Sequence, residues 1–431
     1  MKHLFVFFLF ALFLCSCDKD KPSPQPEENV PTITSFLPVA GTVGTTVIIS
    51  GNYFDGANKL NNQVKFNGVN AVVEEASNTQ LRVTVPTGAI SGKITVEVAG
   101  KAALSANAFI VTTPDTDPDD PAGWIVTTHS LSSALTFPRG ITKDKDGNLY
   151  ITDMHVIKKI VPDGTISVYA GTGVKGSTDG NALTQASFDQ PTGLAFDSEG
   201  NLFVADHINN CIRKVSVDGQ VTTFAGKADQ LGMADGTGEE ARFALPYGIA
   251  VDAADNIYVS DLGNRRIRKI TRDRVVTTFA GNGSSNSSDA PIGVEAGIPQ
   301  PGGITIDKDG MLYITERGGG RIRKIDPSGT VSVSSIGGYL SVNTLPSGIV
   351  VDNDKNVYVT YTGLNKIRKI TPTGVEEDFA GSESGDVNGA ANNARFFNPE
   401  GLVLIENPTG RPTFFIVDRQ NKKIKKLAFA E

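Results

Sequence analysis

Apolar and polar positions alternate over short distances along most of this chain, and from residue 138 the alternation itself repeats. A Pro-x-Gly step opens each unit, at Pro138, Pro191, Pro246, Pro301, Pro346 and Pro399, spaced 53, 55, 55, 45 and 53 residues apart. Each step leads into a short apolar strand (LAFD, IAVD, ITID, IVVD), a polar turn such as DKDGN, and a second strand (LYITD, LFVAD, IYVSD). A third strand follows (CIRKV, RIRKI, KIRKI), and most units end in a fourth such as VTTFAG. Six units of four short antiparallel strands predict a six-bladed β-propeller. The sixth unit has too little chain after 423–427 for a fourth strand, whereas WIVTTHS at 124–130, ahead of the first unit, resembles VTTFAG. Residues 125–129 are therefore expected to close the ring as the outer strand of the last blade, which removes an open sheet edge.

Upstream, the pattern over 31–112 predicts strands at 32–36, 46–50, 63–66, 81–85, 93–98 and 109–112, with turn residues between them. Strands this short in so brief a segment suit an immunoglobulin-like sandwich. The stretch 113–122, TPDTDPDDPA, carries four Asp and three Pro and reads as a solvated linker. The fold class is thus all-β, a sandwich followed by a propeller over 123–431. The wording PTITSFLPVAGTVGTTVIISGNYF, then VKFNG, LRVTVP and GKITVEV, resembles an IPT/TIG domain, and the six repeats resemble NHL repeats.

At the start, Lys2 and His3 precede an apolar run over 4–14. Eleven residues reach about 16 Å as a helix, too short to span a bilayer, so the run reads as a secretory leader. The residues LCSC at 14–17 resemble a bacterial lipoprotein box, which implies cleavage after residue 16 and a lipid on the Cys17 thiol. Residues 17–30 then form a Pro-rich polar tether, unable to bury enough apolar surface to fold. Its DKDK at 18–21 resembles the export tags of Bacteroidota surface lipoproteins. Together these resemblances imply a protein lipid-anchored in the outer membrane and facing the cell exterior.

Composition narrows the chemistry. With 46 Gly and 22 Pro against 4 His, 3 Cys and 1 Trp, the chain is neither a disulfide-stapled scaffold, a multi-Cys zinc domain nor a coiled coil. The propeller segment holds 32 Lys and Arg against 35 Asp and Glu, so no nucleic-acid partner is expected. Cys211 is expected to be packed and inert. No GxSxG, HExxH or comparable motif is present, and no catalytic residue, metal or cofactor is assigned.

Candidate ligand contacts come from positions where the repeat diverges. The residues after each opening Pro are Arg139, Thr192, Tyr247, Gly302, Ser347 and Glu400, a ring expected at the channel mouth. Arg139 and Glu400 become neighbours when the ring closes, and either form an ion pair across that seam or line a polar pocket. In such a pocket Arg139 would engage an anionic or sugar group on which Tyr247 stacks.

The second strands end in Asp153, Asp206, Asp261, Glu316, Tyr361 and Asp418. The repetition of the carboxylates favours a structural role, accepting N–H bonds from the following turn. Tyr361 breaks that pattern, as does Arg317 beside Glu316, and both are expected to shape one side of the mouth. His155 and His207 lie in adjacent turns and join the candidates, although two histidines are too few for a zinc site.

Long connections at 172–190, 227–245, 282–300 and 382–398 share this face, where binding usually resides. In them Ala186 and Phe188, Ala241 and Phe243, and Ala394 and Phe396 read as packing plugs, and Asp179 and Asp235 as turn residues.

The expectation is a non-catalytic surface protein whose loop face recognises a glycan or protein ligand, in nutrient capture or adhesion. Six-bladed propellers also include cation-dependent lactonases, so a divalent-cation-dependent hydrolase is the alternative. A third reading is a scaffold subunit of an outer-membrane transporter or uptake complex.

Overall fold

The computed structural model describes residues 30–41, 43–111, 123–290, 293–327, 331–333, 342–407 and 411–429. The leader, Cys17 with nearly all of its tether, and the linker at 113–122 lie outside the described residues. The chain divides into two compact units, the smaller drawn from residues up to Val111.

In the smaller unit, Thr32–Leu37, Thr46–Asn52, Gln80–Thr84 and Val69–Ala76 pair antiparallel in that order. Val69–Ala76 also pairs with Asn62–Phe66, which leads on to Gly92–Val98 and Lys101–Val111. Strand alternation sends Val47 and Ile49, Val64 and Phe66, Leu81 and Val83, and Ile94 and Val96 into one core with Phe36 and Phe109.

Two of the longer strands differ from expectation. Val69–Ala76 buries only Val73, so its apolar signal is weak. Its cue was the turn Asn67-Gly68, with φ of 44° and 91°, the backbone of a two-residue hairpin. The last strand begins at Lys101 rather than 109, through an Ala-rich stretch that carries little strand signal.

The larger unit is a six-bladed propeller. Its innermost strands are Pro138–Lys143, Leu194–Phe196, Pro246–Val251, Pro301–Ile306, Pro346–Val351 and Pro399–Ile405. The second strands, from Leu149–Asp153 to Thr413–Asp418, are buried at every position because neighbouring blades cover both faces. Six apolar clusters fill the gaps between successive blades. The one at the seam joins Ile141, Leu149 and Ile151 to Val403, Phe415 and Val417.

The expected closure is present. Trp124–Thr128 pairs antiparallel with Lys423–Phe429 and so supplies the fourth strand of blade six. Trp124 anchors it, with its ring 5.1 Å from Phe379, 5.8 Å from Phe414 and 5.9 Å from Phe429.

The Pro-x-Gly step has a steric reason. A Cβ on Gly140, Gly193, Gly248, Gly303, Gly348 or Gly401 would collide with the carbonyl oxygen of Thr192, Tyr247, Gly302, Ser347, Glu400 or Arg139, respectively, each on the next blade. Six backbone approaches thus form a closed ring around the channel that only glycine permits.

Candidate functional site

The repeated charges of the blades are structural, and more deeply buried than their sequence suggests. The middle of each third strand carries a cation: Lys158, Arg213, Arg268, Arg323, Arg368 or Lys425. Arg213, Arg268, Arg323 and Lys425 have no exposed surface. Arg213 binds Asp206 at 2.9 Å and Asp179 at 2.7 Å, and Arg268 binds Asp261 at 3.0 Å and Asp235 at 2.6 Å. Arg323 repeats this with Glu316 and, at 2.8 Å, Asp289. Asp179 and Asp235, expected as turn residues, are therefore second anchors of buried arginines. Phe188 and Phe243 lie beneath Arg213 and Arg268, each 5.1 Å from the guanidinium, so the plugs also cushion these cations.

The carboxylates ending the second strands are structural as expected, but their backbone donors differ. In blades one, two, three and six the N–H groups come from the connection entering the blade: Thr136 and Phe137 to Asp153, Asp189 to Asp206, Ala244 to Asp261 and Phe397 to Asp418. The following turn contributes an Asn side chain instead, from Asn209, Asn264 or Asn421. Burial pushes Asp206, Asp261 and Asp418 up to about 6, against the pull of those donors and cations.

Tyr361 belongs to this layer and not to the mouth. It stands where a carboxylate ends the other second strands, is 1% exposed, and donates its hydroxyl to Glu376 at 3.1 Å. Glu376 in turn holds Arg368 at 2.7 Å, replacing the missing acid from the outer strand. Cys211 is buried, and burial raises its thiol well above the ordinary value.

The innermost strands of all six blades enclose a cavity of about 550 Å³. Arg139, Thr192, Tyr247, Ser347 and Glu400 line it where those strands begin, and Lys143, Phe196, Lys308 and Glu406 where they end. At the beginning the ring does not stand open. Tyr247, on blade three, reaches across to the opposite blade six and donates its hydroxyl to Glu400 at 2.5 Å. Arg317, on blade four, donates to that hydroxyl at 3.0 Å and to Ser347 Oγ at 2.7 Å. Its guanidinium also lies 5.1 Å from the Tyr247 ring centre. Burial and the Glu400 charge push the Tyr247 phenol up to about 12, so it stays a donor.

Arg139 and Glu400 have other partners than each other. Glu400 pairs with Arg419 at 3.1 Å, and Arg139 donates to Gln190 Oε1 at 3.3 Å. Arg139 and Arg419 both lie against the Phe137 ring, at 5.2 and 4.3 Å. Arg419 was missed from sequence, yet it follows Asp418 just as Arg317 follows Glu316.

His207 packs edge-on against Tyr247, 5.9 Å between ring centres, with Nδ1 3.0 Å from the Pro246 carbonyl. Burial lowers its affinity for a proton, as do Arg139 and Arg317, against the Pro246 carbonyl and Glu400. His155 sits further out, accepting the Gln190 N–H at 3.4 Å and lying 3.5 Å from Asp189. The structure therefore gathers Arg139, Tyr247, Glu400, Arg317 and His207, adds Arg419, leaves His155 at the edge and removes Tyr361.

A divalent cation does not suit this donor set. Glu400 is already bound by a guanidinium and a phenol, and further arginines flank it. Among the described residues no group of three His, Cys, Asp or Glu could hold a metal ion.

Comparison with known proteins agrees with both domains. Residues 31–112 match the IPT/TIG domain, and residues 140–281 match the SMP-30/gluconolactonase/LRE-like region. NHL repeat-containing protein 2 of Bos taurus is 32% identical over 190 residues, covering 41% of this chain and 26% of that protein. The chain thus spans about a quarter of the length of the curated relatives it first matches. An auxiliary nutrient binding protein of Bacteroides thetaiotaomicron VPI-5482 has a similar structure, with a TM-score of 0.53 at 16% identity, over 94% of this chain and 99% of that one. Another, from Bacteroides ovatus ATCC 8483, gives 0.51 at 17% identity over 95% and 100%. At these identities the likeness is one of fold.

Proposed function

We propose that this is a non-catalytic, lipid-anchored protein of the outer-membrane surface whose propeller loop face captures a glycan or protein ligand. The observation that carries the binding reading is the gathering of Arg139, Arg317 and Arg419 around Tyr247 and Glu400 at the channel mouth. It is a partly exposed polar surface of guanidiniums, a phenol and a carboxylate, suited to hold a polar ligand. The nutrient-binding names of the two Bacteroides structures fit this reading, and the lipoprotein-like residues before Cys17 support the anchor. An uptake complex beside it would be the partner receiving the ligand.

Calorimetry and glycan arrays on the purified protein test the binding, beside a lactone and ester hydrolysis screen with and without Ca²⁺. Saturable binding without turnover is the expected result. The match of 140–281 to a gluconolactonase-like region favours the hydrolase as second reading, and metal-dependent turnover abolished by Glu400→Gln would establish it. For the anchor, Cys17→Ala should release the protein from the membrane fraction.

A further inference from the structure

We propose that the loop-face mouth binds a sugar acid, a ligand with a carboxylate beside hydroxyl groups, through Arg139, Arg317 and Arg419 together with His207. This rests on the binding reading above and deepens it.

Charge balance is the first argument. Inside the blades Arg213, Arg268 and Arg323 each hold two carboxylates and no exposed surface. At the mouth the balance differs: Arg419 holds Glu400, Arg317 donates to the Tyr247 hydroxyl, which itself donates to Glu400, and Arg139 shares the Phe137 ring with Arg419. The nearby Asp189 is engaged by Lys175 at 3.0 Å and approached by His155. Arg419 keeps 19% of its side chain exposed, and Arg139 and Arg317 are likewise half-buried. Each guanidinium has five N–H donors in a flat fork, and the contacts to Gln190, Glu400, Tyr247 and Ser347 engage only a few of them. Surplus positive charge, already partly desolvated and fixed against Phe137 and Tyr247, favours a planar oxyanion.

His207 supplies the second argument. The Pro246 carbonyl can only accept, so His207 Nδ1 carries the proton, and in the neutral ring Nε2 is left as an acceptor. An ionised carboxylate alone has nothing to donate to such a nitrogen, whereas a sugar hydroxyl does. Glu400, already in the cluster, is a second acceptor for a hydroxyl.

The test is titration calorimetry of the full chain in calcium-free buffer. The probes are galacturonate, glucuronate and their short oligomers, beside galactose, glucose and inorganic phosphate. The acids should bind at least about tenfold more tightly than their neutral counterparts, as expected for one charge-assisted contact. Phosphate should compete weakly. Arg139→Gln and Arg419→Lys should each weaken the acids by about tenfold while circular dichroism and melting stay native-like; the lysine retains charge but loses the fork.

Equal binding of neutral and acidic sugars, unchanged affinity in both arginine variants, no heat with any acid, or phosphate binding as well as the uronates would each overturn the proposal. Tight binding of a neutral glycan would do so while leaving the binding function intact. Lactone turnover without binding would instead overturn the function itself.

Discussion

The third-strand cations look from sequence like solvated charge balanced by acids, because Lys and Arg seldom lie fully inside a protein. Their spacing from the acid ending the preceding strand, seven residues between Asp206 and Arg213 and between Asp261 and Arg268, was the legible cue. The loop partners Asp179 and Asp235, more than thirty residues away, were not legible as partners. Removing one member of such a pair strands a buried charge. Arg268→Ala should therefore cost about 3–5 kcal/mol, read from urea unfolding, and restoring charge balance with Asp261→Asn in the same chain should recover part of it. Asp418 gives a pH signature, since its neighbour Lys425 turns to Asp386 at 2.6 Å. Its carboxyl is raised to about 6 in the fold, against about 3.9 unfolded, so the folded state holds the proton more tightly. Its contribution is then fullest below pH 4 and is lost as the pH rises through 6. Between pH 7.5 and 5 it should add about 1 kcal/mol, and Asp418→Asn should remove that slope from a pH series of unfolding curves.

Among the elements, those of the propeller could be read because six copies correct one another. The sandwich offers one copy of each strand, so Val69–Ala76, with a single buried side chain, left no averaged signal. The closing strand was readable for the same reason as the blades, since 124–130 repeats VTTFAG outside its normal place. What sequence could not show is that the mouth is bridged, because Tyr247 and Glu400 are 153 residues apart and belong to opposite blades. Trp124, 8% exposed and surrounded by Phe379, Phe414 and Phe429, carries the closing strand. Trp124→Ala should destabilise the propeller by about 3–5 kcal/mol in chemical unfolding followed by circular dichroism. Equal stability with and without the indole would mean that the ring is held by its other seams alone.

For the whole molecule, the two domains differ in what they offer chemistry. The sandwich packs Phe36, Phe54, Phe66 and Phe109 with the inward residues of its strands into one core, whereas the propeller gathers divergent residues where its blades converge. Fold, domain order and most mouth residues were therefore accessible from the repeat register, but the ligand class depended on partners that only the closed ring reveals. Closure has a mechanical consequence as well. The chain enters the propeller through Trp124–Thr128, the strand that completes blade six by pairing with Lys423–Phe429. Tension applied between the chain ahead of this strand and the rest of the propeller would enter the ring at this strand. Its hydrogen bonds to the last strand and to Gly389–Ala390 are the first non-covalent links to take that strain, which makes the outer edge of blade six a natural point of release.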